Sequence, residues 1–345
     1  MSHSISHVSR ISSLDLGRVL AIIGVILIHS GAFVAYPHIN GEPWIGDLIN
    51  QLSRFAVPFF FITAGYFLYP KLLSSPKSTA LQYCLPLLKV WLIWSVVYLA
   101  LPFDFAKALE QGYFAEREGY WNYLMGNPLN TLFEGGMVHL WFLPSLVIAV
   151  AIIAGFIHKN QWALLSSLSI VLFIYGVLAG SYREHTGLES IIFTRNGPFF
   201  STLLVFIGCY IRRANVSLNL GQSLLLMLVG LVGHLSEAFY LKDLGVSFRS
   251  HDFLFFTPVW AFGLFMCLLS QPQLVTHHRV KSIADSTMGI YLSHMLIMIY
   301  LFHFSNFLGV TGYAKTIMLV IGIFFVSLLF TKCIEKTPLK AYLIR

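Results

Sequence analysis

The residues best placed to do chemistry sit in the first apolar stretch, where Arg18 and His29 flank the run Val19–Ile28. They are eleven residues apart. At about 100° per residue, eleven steps make about 1,100°, roughly 20° beyond three full turns, so both side chains lie on nearly one helical face. The rise separates them by roughly 16 Å along the axis. A cation and an imidazole in such a run cost free energy unless each has a partner or faces a wet cavity. Asp15, one turn before Arg18, is placed to pair with it. Two plainer readings compete: an Arg18 that snorkels to headgroups, and a His29 that merely ties helices together. The shared face favours a narrow solvated channel instead, with an anion grip at one end and a base at the other.

The elements that must position these two residues are membrane spans. Of 345 residues, 57% are hydrophobic and only 11% charged, with a mean hydropathy of +0.74. A soluble domain carries about 25% charged residues, so this surface is too apolar to face water throughout. Apolar runs of roughly 18 residues or more read as spans. They fall at 14–36, 44–70, 83–102, 138–158, 162–180, 197–213, 220–240, 252–270, 286–307 and 313–334. The expected fold is therefore all-α, a polytopic bundle of about ten transmembrane helices forming one membrane domain over 1–345. The polar interruption 103–137 is expected to hold a short helix at the interface. No internal repeat is visible.

Loop charges orient the bundle by the positive-inside rule. An N-terminus in the cytosol puts twelve Lys/Arg against three acids inside, and seven against twelve outside. Both termini are then cytosolic. The net charge of +7 reads as this topology signal, and no nucleic-acid partner is expected. Cys84, Cys209, Cys267 and Cys333 fall near inner helix ends, the reducing side, so no disulfide framework is implied. The first span is too long for a signal-peptide core and is expected to be retained. There is neither HExxH spacing nor a GxSxG elbow, and no metal is expected.

Five motifs in order resemble the membrane acyltransferase-3 family. They are the Arg18-x10-His29 helix, Val57-Pro58-Phe59-Phe60-Phe61-Ile62-Thr63-Ala64-Gly65-Tyr66, His139-Leu140-Trp141-Phe142-Leu143, Thr194-Arg195-Asn196-Gly197, and Gly289-Ile290-Tyr291-Leu292-Ser293-His294. Arg54 before Val57-Pro58, and the Thr194–Gly197 element, look most like the branch containing the enterobacterial common antigen O-acetyltransferase. Ala64 departs from the family, which usually has serine before Gly-Tyr; a hydroxyl contact there is absent or supplied by Thr63.

The resemblance implies transfer of an acyl group, usually acetyl from cytosolic acetyl-CoA, to a sugar hydroxyl of a surface glycan or its lipid-linked precursor. The setting it implies is a bacterial cytoplasmic membrane, with membrane lipid as a further partner. Arg18, braced by Asp15 and joined by Lys71 or Lys77, would hold the CoA phosphates. His29 would take the hydroxyl proton, or carry the acyl group itself. His294, with Tyr291 one turn before it, is a rival base or a supporting partner. Glu237, one turn after His234, would orient His29 or a sugar hydroxyl; a simple pair with His234 is the alternative. His139, Trp141, Arg54, Arg195 and Asn196 are the candidate sugar contacts, against the plainer roles of headgroup anchor for Trp141 and lipid-phosphate contact for the arginines. A transporter or flippase for a glycan also fits intramembrane charge, although transporters often show two similar halves. Monomer and homo-oligomer both remain open.

Overall fold

The computed structural model describes residues 10–344. It is helical, with no strand among the described residues beyond an isolated bridge between Ile39 and Glu42. The chain begins with α1 (Ser12–His29), α2 (Trp44–Leu52), α3 (Ala56–Ser74) and α4 (Pro76–Ala100). Three short helices follow, α5 (Phe105–Gln111), α6 (Tyr113–Gly126) and α7 (Pro128–Glu134). A 3₁₀ turn, Val138–Trp141, leads into α8 (Phe142–His158). After it come α9 (Trp162–Leu178), α10 (Arg183–Thr186), α11 (Pro198–Arg213), α12 (Leu220–Asp243) and α13 (Thr257–Ser270). The last are α14 (His278–Asp285), α15 (Thr287–Phe307), α16 (Gly312–Glu335) and α17 (Lys340–Leu343).

Among the described residues, seven helical segments are long and apolar enough to cross a membrane, and α9 and α13 are shorter apolar helices. Two of the seven are composite: α2 with α3, and the 3₁₀ turn with α8. The amphipathic α11, ending in Arg212-Arg213, packs on α3, α8 and α9 and completes the bundle. Its crossing with α3 is held by reciprocal glycines. A Cβ on Gly65 would fall 2.0 Å from the Val205 carbonyl oxygen, and one on Gly208 2.0 Å from that of Ile62. Lipid gives helices no hydrophobic reason to associate, so such backbone contact supplies the packing.

Helix α1 is the hub, touching α2, α3, α13, α14, α15 and α16. It stops at His29, short of the expected 36, because Gly31 and Phe33 take φ values of +57° and +60°. Irregular backbone at this depth is tolerated where protein covers it or water reaches it. The segment 103–137 folds into three helices rather than one. Its Arg117 is fully buried, donating to the Tyr98 carbonyl at 3.0 Å and stacked over Phe103 at 4.1 Å. The guanidinium thus anchors α6 to α4.

Candidate active site

Arg18 opens a cavity of about 700 Å³ bounded by α1, α3, α4, α8, α14 and α15. Charge is confined to one end of it, where Arg10, Asp15, Arg18, Lys71 and Asp285 lie. Arg18 is 3.6 Å from Asp15 and donates to the Thr287 hydroxyl at 3.2 Å. Asp15 also holds Arg10, which reaches Asp285 at 2.8 Å. The carboxylates fix the guanidiniums in place without cancelling them: three cations face two acids at this mouth. Lys77 is exposed at the start of α4 and does not line the cavity.

Inward the lining turns apolar, through Val25, Val57, Phe60, Phe142, Leu146 and Met288, and it reaches Tyr291. Thr63 and Ala64 also line it. The Thr63 hydroxyl is donated to the Phe59 carbonyl at 2.7 Å, which leaves its lone pairs to face the cavity.

Beyond Tyr291 three imidazoles converge. The ring centroid of His294 is 5.3 Å from that of His29 and 5.0 Å from that of His139, and His29 and His139 are 6.3 Å apart. His29 closes α1 and is half-buried, whereas the other two are fully enclosed. His139 arrives from the 3₁₀ turn, and the two glycines just before that turn pack hard on α4. Gly135, at φ +66°, and Gly136 make this approach; a Cβ on Gly136 would fall 2.2 Å from the Ser95 carbonyl oxygen. The Tyr291 hydroxyl donates to the His139 carbonyl, and the Tyr98 ring lies 5.2 Å from the His139 ring. Nε2 of His294 has no hydrogen-bond partner among the described residues, and the His139 ring is turned to the Leu292 carbonyl. No metal-holding group of three His, Cys, Asp or Glu forms among those residues.

On the far side of His29, within its electrostatic reach, lie Arg54, Arg195 and Asp252. The two oxygens of Asp252 accept from Arg54 at 3.1 Å and Arg195 at 2.8 Å. Arg195 also bonds Glu134 at 2.7 Å, and Asn196 donates to Asn130 and Glu134. Arg54 further donates to Asn50 and the Arg249 carbonyl. Burial works against the Asp252 carboxylate, yet Arg195 and Arg54 outweigh it and hold its carboxyl below the usual range. Burial likewise opposes the Arg195 charge, and Asp252 and Glu134 push its pKa up regardless. Two cations and two acids balance here.

The structure thus gathers His29, His139, His294 and Tyr291, sets Arg18, Asp15 and Lys71 on the approach, and joins Arg54, Arg195 and Asn196 beyond. It does not bring Glu237 to them. That carboxylate accepts from the Tyr182 hydroxyl and the backbone N–H of Phe255 and Phe256, tying down the loop before α13. Nor does it pair with His234, which bonds Gln51 and Thr257 instead. Trp141 is buried among Phe61, Phe142 and Phe200, which cover the face a sugar would need. Sequence reasoning missed Asp252, Glu134 and Thr287. The signal was present for the first two, since Arg54 and Arg195 at span edges require counter-charges from nearby loops.

Residues 11–334 match the acyltransferase domain that defines the acyltransferase-3 family. The chain belongs to that family, and it is a multi-pass membrane protein. It is also similar to a serine/alanine racemase of Enterococcus gallinarum, 26% identical over 81% of this chain and 40% of that protein. An amino-acid racemase of Enterococcus faecalis is 27% identical over 87% of this chain and 43% of its own length. The chain therefore spans about two-fifths of the curated relatives it matches. No solved structure matches.

Proposed function

We propose that the chain moves acetyl from cytosolic acetyl-CoA to a hydroxyl of a surface glycan or its lipid-linked precursor. The observation that carries this reading is the cavity: cations at its mouth, an apolar barrel, and imidazoles beyond its end. That polarity suits a donor with phosphates at one end, a slender arm, and a thioester at the other. Arg18 and Lys71, with Arg10, hold the phosphates. His29 accepts the hydroxyl proton as the oxygen adds to the thioester carbonyl. The C–S bond breaks, the C–O bond of the ester forms, and the proton passes to the departing thiolate. Arg54, Arg195 and Asn196 shape the acceptor side.

The positive-inside bias supports a bacterial cytoplasmic membrane with both chain ends in the cytosol, which puts Arg18 where acetyl-CoA is made available. Arg54 and the Thr194–Gly197 element favour the branch containing the enterobacterial common antigen O-acetyltransferase. Racemisation, named for the longer relatives, is a property of those proteins.

The test is mass spectrometry of surface glycans from cells with and without the protein. Loss of an acetyl mass from one glycan fits the proposal. Identical glycans, together with glycan movement in vesicles that consumes no acetyl-CoA, would establish a transporter instead.

A further inference from the structure

His29 has a weakness as a base: its ring makes no hydrogen bond among the described residues. A general base works best when a third group fixes its tautomer and orientation. No carboxylate is supplied for this; Glu237 is committed to the loop before α13, and Asp252 to two arginines.

His294 has what His29 lacks. Its Nδ1 lies 2.6 Å from the Tyr291 carbonyl. A carbonyl can only accept, so Nδ1 carries the proton, and in the neutral ring Nε2 is a bare lone pair. That atom is buried without a partner. Buried lone pairs are nearly always satisfied, and two rings are near enough to donate, His139 at 5.0 Å and His29 at 5.3 Å between centroids. The His139 ring is turned to the Leu292 carbonyl, which leaves His29 as the donor. The carrier is rigid. His294 sits inside α15, pinned to α4 by the Tyr98 hydroxyl, which donates to the Leu292 carbonyl at 2.8 Å and accepts from the Leu296 N–H at 3.2 Å.

We infer that His294 is the positioning residue for His29: its Nε2 accepts a hydrogen bond from one ring nitrogen of His29, leaving the other as the lone pair that meets the acceptor hydroxyl. A neutral imidazole thus takes the orienting place that a carboxylate fills elsewhere. When His29 gains the hydroxyl proton, the bond to Nε2 persists and steadies the imidazolium until the departing thiolate takes that proton. His294 neither gains nor loses a proton over the cycle. This rests on the acyl-transfer reading above.

The experiment uses the full-length protein in lipid nanodiscs, with CoA release from acetyl-CoA measured in the presence of extracted surface glycan. His294→Leu removes the acceptor atom; His294→Gln can return an oxygen near the place of Nε2. We expect His294→Leu to lower kcat by roughly 10- to 100-fold with KM for acetyl-CoA unchanged, and His294→Gln to recover most of the loss. In a His29→Ala background, His294→Leu should cost nothing further. Wild-type turnover in His294→Leu, equal losses in the Leu and Gln variants, or an additive loss in the double variant would each overturn the inference. If His294→Leu does not fold, His294→Ala takes its place in both arms. Wild-type protein that releases no CoA would fail the acyl-transfer reading instead.

Discussion

Two groups of arginines flank the histidines, and they differ in what they leave free. At the cavity mouth, Arg10, Arg18 and Lys71 outnumber Asp15 and Asp285, and the excess charge opens onto about 700 Å³ of space. On the other side, Arg54 and Arg195 are matched by Asp252 and Glu134 and bonded into the surrounding loops. The same side chain therefore serves two ends: a grip for an incoming anion, and a brace for the bundle. Neutrality and saturation, more than burial, separate the roles.

The largest expected effect lies between the two groups. His29→Ala should lower kcat for acetyl transfer by about 10²- to 10⁴-fold, leaving acetyl-CoA affinity and thermal stability near wild type; steady-state kinetics beside a melting curve checks this. Breaking the brace should instead cost stability. Glu134→Ala strips a buried carboxylate from Arg195 and Asn196 and should destabilise the protein by about 3 kcal/mol, read as a lowered melting temperature in detergent. The same loss of stability from Asp15→Ala would blur the distinction between the ends.

Salt should sharpen it. Raising ionic strength from about 0.1 to about 1 M shortens the screening length from about 10 to about 3 Å. Acetyl-CoA binding at the half-open mouth should weaken severalfold while the melting temperature holds, as parallel titrations and melts would show. The smallest effect concerns acid. The Asp252 carboxyl is held below its ordinary value of 3.8 by Arg195 and Arg54 against the pull of burial. Its contribution to stability is complete above that ordinary value and fades as pH falls through the lower folded one. Asp252→Asn should therefore flatten the acid limb of a plot of melting temperature against pH, and leave the neutral region with a constant offset.

Much of this was legible beforehand. Spans follow from hydropathy because lipid demands helices whose backbone groups are satisfied within the segment. The common face of Arg18 and His29 follows from helical period alone. The meeting of His29, His139 and His294 does not, since it depends on how α1, the 3₁₀ turn and α15 pack, which no local period records. Glu237 misled for the same reason: one turn from His234 on paper, its carboxylate turns to backbone N–H groups of a loop that sequence cannot place. Trp141, a candidate sugar contact by its place at the start of a span, is instead enclosed by three phenylalanines.

The division between grip and brace can be met head-on by titrating acetyl-CoA calorimetrically into wild type, Arg18→Ala and Arg54→Ala in nanodiscs. Loss of charge-assisted hydrogen bonds to phosphate should weaken binding to Arg18→Ala by about 1.5 to 3 kcal/mol, roughly ten- to a hundredfold, with Arg54→Ala binding as wild type does. Undiminished affinity in Arg18→Ala, or an equal loss in Arg54→Ala, would contradict the account.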